Sequence, residues 1–265
     1  MTAETRSVDL DGLGTVDVSI EVFGSGRPFL LLHGGAGPQS VLPFGELFAG
    51  QHDVRVFVPT HPGFGGTQRP EWLAGIVLLA RLYERLITNL GLEDVTVIGN
   101  SIGGWVTAEI ALLDSPRVTG IVLIDAVGVD VPGHPVADFF GMTMDEVFNR
   151  TFHDPEPFRF DPTELPPVAQ AIAAGNRAAL AAYAGTTMSD PGLAERLGAL
   201  EIPALVLWGD SDRIADVDYG RAYAAAIPTA RFEVLTDTGH APQQETPDKV
   251  SWAIRTWGDP GTHAG

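Results

Sequence analysis

Short runs dense in Val, Leu, Ile and Phe recur along this chain, separated by longer stretches in which apolar positions return every three or four residues. Runs of the first kind fall at residues 27–32, 54–58, 95–99, 118–125, 204–208 and 231–235. Near-continuous apolar strands of this length are what a parallel sheet covered on both faces requires. Residues 7–10 and 16–23 alternate apolar and polar side chains instead, which predicts half-exposed antiparallel strands. Helical spacing is found at 72–90, 102–113, 217–227 and 247–257. The pattern predicts an α/β fold, a mostly parallel twisted sheet with helices on both faces.

That rhythm breaks over residues 128–200, where more than sixty residues pass without a strand signal. Prolines crowd the early part, and an alanine-rich helical run follows at 168–183. A structureless loop of that length is foreign to a compact domain, so the stretch predicts a small helical insertion. Lying between two sheet strands, it is a lid candidate, with Phe139, Phe140 and Tyr183 expected to influence substrate choice. The division that follows is core at 1–127, helical cap at 128–200 and core again at 201–265, with the tail 258–265 expected to fray.

Composition narrows the functional classes. An apolar fraction of 45% with 19% charged residues suits a packed globular core and excludes a largely disordered chain. Thirty-four acids against sixteen bases, all but Lys249 arginine, give a formal charge of −18, a surface that repels nucleic-acid backbones and anionic membranes. The expected partner is therefore a small-molecule substrate, and self-association is left open. With no cysteine in the chain, disulfides, thiolate metal sites and a cysteine nucleophile are excluded. Residues 1–13 carry no basic and apolar leader pattern, and no apolar run reaches about 18 residues, so a cytoplasmic setting is expected.

The strongest chemical signal is Gly99-Asn100-Ser101-Ile102-Gly103-Gly104, which directly follows an apolar strand and opens a helical repeat. A serine on such a strand-turn-helix has a strained backbone and a hydroxyl lifted to a helix N-terminus, while flanking glycines let neighbouring elements close in. Ser101 is thus the candidate nucleophile. The segment His33-Gly34-Gly35-Ala36 after strand 27–32 could present N–H groups to an oxyanion. The donors expected are Gly35, with Ala36 as second choice, and Ile102; His33 is read as structural.

Of the seven histidines, His240 sits in a short turn after a late core strand and is the candidate general base. His52, His134, His153 and His263 are expected at the surface, and His61 in a loop bordering the site. The orienting acid must stand at a strand end. Asp212, in Trp208-Gly209-Asp210-Ser211-Asp212, is preferred, with Asp125 as its competitor. Asp210, Asp216 and Asp218 are read as solvated acids or helix caps.

In their order along the chain, the strand-HGG segment, Pro62-Gly63-Phe64-Gly65-Gly66-Thr67, the strand-turn-helix elbow at Gly99 to Gly104, the Asp212 turn and Gly239-His240 resemble the α/β-hydrolase family over nearly everything outside the insertion. The resemblance implies the family's fold and its chain order of nucleophile, acid and histidine, met by Ser101, Asp212 and His240. Members commonly carry Asp where this chain has Thr60. Ser101 departs from haloalkane dehalogenases and epoxide hydrolases, which use Asp as nucleophile. The elbow is similar to that of carbon–carbon bond hydrolases of ring-cleavage products, although these usually place Trp where Ala241 stands.

The expected activity is cleavage of a carboxylic ester or related acyl bond through an acyl-enzyme, with no metal or organic cofactor. Two alternatives stand beside it. One is carbon–carbon bond hydrolysis, with Arg150, Arg159 or Arg177 of the insertion as carboxylate clamps; the other is a ligand-binding or signalling protein on the same fold.

Overall fold

The computed structural model describes residues 2–258. The expected frayed end, 259–265, and His263 within it lie outside the described residues. Eight strands form one sheet. The antiparallel hairpin predicted at the start is β1 (Thr2–Leu10) and β2 (Gly14–Gly24), longer than its alternating cores. The six apolar runs become β3 (Arg27–Leu32), β4 (Val54–Pro59), β5 (Val95–Asn100), β6 (Val118–Ile124), β9 (Ala204–Gly209) and β10 (Ala230–Leu235). Two two-residue strands between them, β7 (Gly128–Val129) and β8 (Ser189–Asp190), pair with each other.

Spatial order in the large sheet is β1-β2-β4-β3-β5-β6-β9-β10, parallel from β4 onward. The order reverses between β3 and β5, where Leu32 lies beside Gly99. Open α/β sheets bind ligands at the carboxyl ends of their strands at such a switch point. Here the HGG segment and Ser101 leave the sheet side by side.

Helices α1 (Leu42–Gln51) and α9 (Pro247–Gly258) cover one face, over a core that includes Phe44, Phe48, Val56, Ile98, Leu205 and Val250. Helices α2 (Ile76–Asn89), α3 (Ile102–Leu112) and α7 (Val217–Ala225) cover the other, over Leu30, Val97, Ile121, Val206 and Tyr83. Two expected helices are shorter than their patterns. Gly75, at φ 80°, starts α2 four residues late, and Pro228 excludes the helical region for Ile227, ending α7 early. Helix α1 escaped the pattern because two glycines and a proline interrupt its apolar stripe.

The insertion is mainly helical, as expected, with α4 (Met144–Thr151), α5 (Pro167–Ala184) and α6 (Leu193–Leu197). The expectation of no strand there is corrected by β7 and β8, which bring its two ends together at the core. A capping box of Thr143 and Glu146 starts α4. No helix among the described residues is long and apolar enough to cross a membrane.

The return from the insertion is tied to the helix behind Ser101. Arg196 of α6 donates both guanidinium arms to the buried carboxylate of Glu109 on α3, each at 2.7 Å, and a third bond to Asp190 of β8 at 2.6 Å. Removing the cation strands a buried carboxylate, which is the costly half of such a pair. Arg196→Leu is expected to lower unfolding stability by about 2 kcal/mol. Urea denaturation checks this, and adding Glu109→Gln should recover part of the loss.

Candidate active site

Four strand ends at the carboxyl edge supply the site. Ser101 follows β5 with φ 55° and ψ −119°, a conformation a residue with a side chain keeps only when its surroundings enforce it. They do so here: a side chain at Gly99 would run into the Gly103 backbone, and one at Gly103 into the carbonyls of Leu32 and His33. The Ser101 N–H donates to Ile124 at 3.0 Å, and its carbonyl accepts from Gly104 and Trp105.

His240 lies between β10 and α8 (Pro242–Glu245). Its Nε2 stands 2.9 Å from Ser101 Oγ, and its Nδ1 stands 2.7 Å from Asp212 Oδ2. The other oxygen of Asp212 accepts the N–H groups of Ile214 at 2.7 Å and Ala215 at 3.1 Å. A carboxylate can only accept, so Nδ1 carries its hydrogen and Nε2 offers a lone pair toward the serine hydroxyl. The structure therefore brings Ser101, His240 and Asp212 into one line, all buried.

Asp125, the competing acid, is buried beside them at the end of β6 but accepts the Gly209 N–H at 2.9 Å rather than the imidazole. Ligand-type atoms of Asp125, Asp212 and His240 lie within 4.8 Å of one another. A cation there would have to displace the Nδ1–H of His240 from Asp212, so the donor set suits an imidazole and not a metal ion. Of the other acids, Asp216 caps α7 by accepting from Tyr219 at 2.9 Å, and Asp210 and Asp218 are exposed.

Gly34 and Gly35 pass directly over the elbow: a Cβ on Gly34 would sit 3.1 Å from that of Ser101. Ile102 opens α3, so its N–H has no acceptor within the helix. Helix α5 roofs this loop. Leu180 lies over Gly35, Asn176 accepts from the Gly65 N–H at 2.8 Å, and Tyr183 donates to the Pro62 carbonyl at 2.9 Å. On the other side, the end of α4 closes on the histidine turn, with His240 N–H donating to Thr151 at 2.6 Å and Phe148 and Phe152 packed on Ala241. Phe140 lies against Arg177, and the side chain of Phe139 lies outside the described set.

Two groups whose roles sequence reasoning did not assign in full hold these turns. Asn100 donates to the carbonyls of Ile124 at 3.2 Å and His240 at 3.0 Å, and accepts from Gln243 at 3.1 Å. Its place beside the nucleophile was the available signal; Gln243 had none. The second group is the pair His33 and His61 with Tyr83. His33 Nδ1–H donates to Gly34 at 2.7 Å while its Nε2 accepts the His61 N–H at 3.0 Å. His61 Nε2–H donates to the His33 carbonyl at 2.9 Å, and its Nδ1 accepts from Tyr83 at 2.5 Å. His33 is structural, as expected. His61 does more than border the site, since it anchors the loop that follows Thr60. His153 is exposed, as expected, but His52 and His134 are half-buried, bonded to Ser251 and Asp216.

An eight-stranded sheet of this order, with serine, acid and histidine turns aligned at its carboxyl edge, defines the α/β-hydrolase architecture. Residues 29–251 match the model of the alpha/beta hydrolase family, and the chain belongs to that family. It is an enzyme of the hydrolase class. It is 31% identical to 2-hydroxymuconate semialdehyde hydrolase of Pseudomonas putida over 88% of each chain. It is 26% identical to Lipase 1 of Psychrobacter immobilis over 86% of this chain and 75% of the lipase. Among solved structures, a thermophilic esterase from Thermogutta terrifontis superposes with a TM-score of 0.78 at 29% identity, covering 96% of this chain and 97% of the esterase.

Burial pushes His33 down from 6.5 to about 4, and holds His61 well below its ordinary value with the charge of His33 adding to it. Both imidazoles are neutral when folded and take up protons when unfolded. Stability is thus complete above the unfolded value near 6.5 and drains as pH falls below it, for His33 down to about 4, each group contributing on the order of 1 kcal/mol per pH unit. Denaturant unfolding of the wild type between pH 7 and about 4.5 should show this slope, and His61→Gln should make it shallower. Equal slopes in the two proteins would mean that His61 is already charged in the fold.

Proposed function

We propose that this chain is a serine hydrolase of carboxylic esters that works through Ser101, His240 and Asp212. The observation carrying this reading is the unbroken line from Ser101 Oγ to His240 Nε2 at 2.9 Å and from His240 Nδ1 to Asp212 Oδ2 at 2.7 Å. Ser101 Oγ attacks the ester carbonyl as its proton passes to His240 Nε2. The imidazolium is stabilised by Asp212 and returns that proton to the leaving alcohol. Water, deprotonated by the same imidazole, then attacks the acyl-enzyme and releases the acid. The N–H groups of Gly35 and Ile102 would receive the negative oxygen, a reading supported by Ile102 opening α3 and by the Gly34 segment lying against Ser101.

An uncharged substrate fits better than an anionic one. Arginine and lysine are missing from the buried residues described, and Leu180, Phe148 and Phe152 surround the loop and the histidine turn with hydrocarbon. The four arginines of the insertion are engaged elsewhere, Arg196 with Glu109 and Asp190. Arg150 donates to the Arg213 carbonyl, Arg159 pairs with Glu156 and Asp145, and Arg177 donates to the Phe140 carbonyl. The Pseudomonas putida relative keeps carbon–carbon bond cleavage as the second reading. Residues 128–200 are read as the lid that sets acyl preference, because α5 and the end of α4 close both sides of the serine.

Ser101→Ala is expected to fold normally and lose up to about 10⁶-fold in kcat on an activated aryl ester; near-wild-type turnover would exclude Ser101 as nucleophile. A ligand-binding protein would manage only a few slow cycles in the same assay. Leu180→Ala and Phe152→Ala should shift the ranking of p-nitrophenyl esters toward longer acyl chains, measured as kcat/KM. Faster turnover of a ring-fission diketone than of every ester would transfer the assignment to carbon–carbon cleavage.

A further inference from the structure

Asp125 is a fully buried carboxyl group that the proposed reaction does not use. Its backbone is held in the left-handed region, at φ 43°, where the chain leaves β6. One oxygen accepts the Gly209 N–H at 2.9 Å, and the other is buried without a hydrogen-bond partner among the described residues. Around it stand Asp212, His240 and, further off, Glu245. Glu245 is already occupied by the N–H groups of Gly239 at 2.7 Å and Asp154 at 2.9 Å.

Two ionised carboxylates cannot share a dry site at this separation without a large repulsive cost, so one of them holds a proton. Which one follows from the donors. Asp212 receives three N–H groups, from Ile214, Ala215 and His240, whereas Asp125 receives one. Negative charge settles where more donors point, which puts the proton on Asp125. Burial, and after it the charge of Asp212, push the Asp125 carboxyl well above the usual carboxylate range, in the same direction.

We infer that Asp125 is a positioning residue that stays neutral and donates an O–H hydrogen bond to Asp212 while accepting the Gly209 N–H. The inference rests on Asp212 being the acid of the proposed triad. The donated bond orients the Asp212 carboxylate toward Nδ1 and takes up part of its charge, so the imidazolium is held less tightly than a bare carboxylate would hold it. Proton return to the leaving group is easier as a result. The Gly209 bond also ties the end of β6 to the end of β9, which carries the Asp212 turn.

The test uses the full chain and two substitutions at one position. Asp125→Val removes both bonds; Asp125→Asn keeps an N–H donor for Asp212 and a carbonyl for Gly209. Asp125→Val should lower kcat roughly tenfold, the size of one lost hydrogen bond to a charged group. It should also move the acid-side limb of the kcat/KM profile to higher pH, because the uncovered Asp212 holds the proton on His240 more strongly. Asp125→Asn should restore the wild-type profile and bring kcat to within about threefold, a loss well below that of one full hydrogen bond. Infrared spectra at neutral pH should contain the carbonyl stretch of a protonated carboxylic acid in the wild type, absent from both variants; this reading needs no activity.

A missing band, a profile displaced in Asp125→Asn, or a wild-type profile in Asp125→Val would overturn the inference. If Asp125→Val does not fold, the infrared band and the Asp125→Asn profile decide alone. Asp212→Asn separates this inference from the triad on which it rests. It should cost about 10³ to 10⁴ in kcat. Undiminished turnover there would overturn the triad and Asp125 with it, whereas a full loss beside an unaltered Asp125→Val overturns only the role of Asp125.

Discussion

The interaction on which the rest of the structure depends is the close backbone approach of α3 to β5 and β3 beneath it. No Cβ can be accommodated at Gly99 or Gly103, so the helix sinks far enough for the strand-to-helix turn to be as tight as it is. Ser101 is then forced to φ 55° and its hydroxyl stands clear of the sheet. The same approach brings the HGG segment over the serine and lets the Asn100 side chain reach the carbonyl of His240. Geometry at the reacting centre is thus a consequence of packing behind it.

Asn100, His33 and His61 each hold their buried polar atoms in hydrogen bonds, and each unmatched one would cost about 1 to 3 kcal/mol. The elbow, the histidine turn and helix α8 share Asn100 and Gln243. The loop after β4, where family members commonly place an aspartate at the Thr60 position, is held here by two neutral imidazoles and a tyrosine hydroxyl. In a chain already carrying −18, neutral anchors add no further negative charge to a site that contains Asp125, Asp212 and Glu245. The same economy appears in the acid pair, where one shared proton leaves a single negative charge facing the imidazole.

Helix α5 contacts the oxyanion loop and the glycine loop at once, through Leu180, Asn176 and Tyr183. A displacement of α5 would therefore loosen contacts to both loops. The ends of the insertion are fixed more firmly, by the β7–β8 pairing and by Arg196 on Glu109.

Much of this was legible in the order of residues. Apolar runs located the six parallel-sheet strands to within a residue or two, because a strand covered on both faces has no polar alternation to confuse it. Ser101 and His240 were legible because their local surroundings, glycines around one and a late strand before the other, are unusual by themselves. Helix α1 was not, since glycine and proline blur its stripe, and neither were β7 and β8, which are too short to carry a period. Between Asp212 and Asp125 the order of residues favoured Asp212 without deciding the matter. Both are acids at strand ends, and only the three-dimensional arrangement decides which carboxylate gathers the N–H groups of Ile214, Ala215 and His240 and which is left with one. The anchoring role of His61, and Gln243 altogether, were hidden for the same reason: their partners are distant in the chain, and a hydrogen bond across such a distance exists only once the sheet has brought its strand ends together.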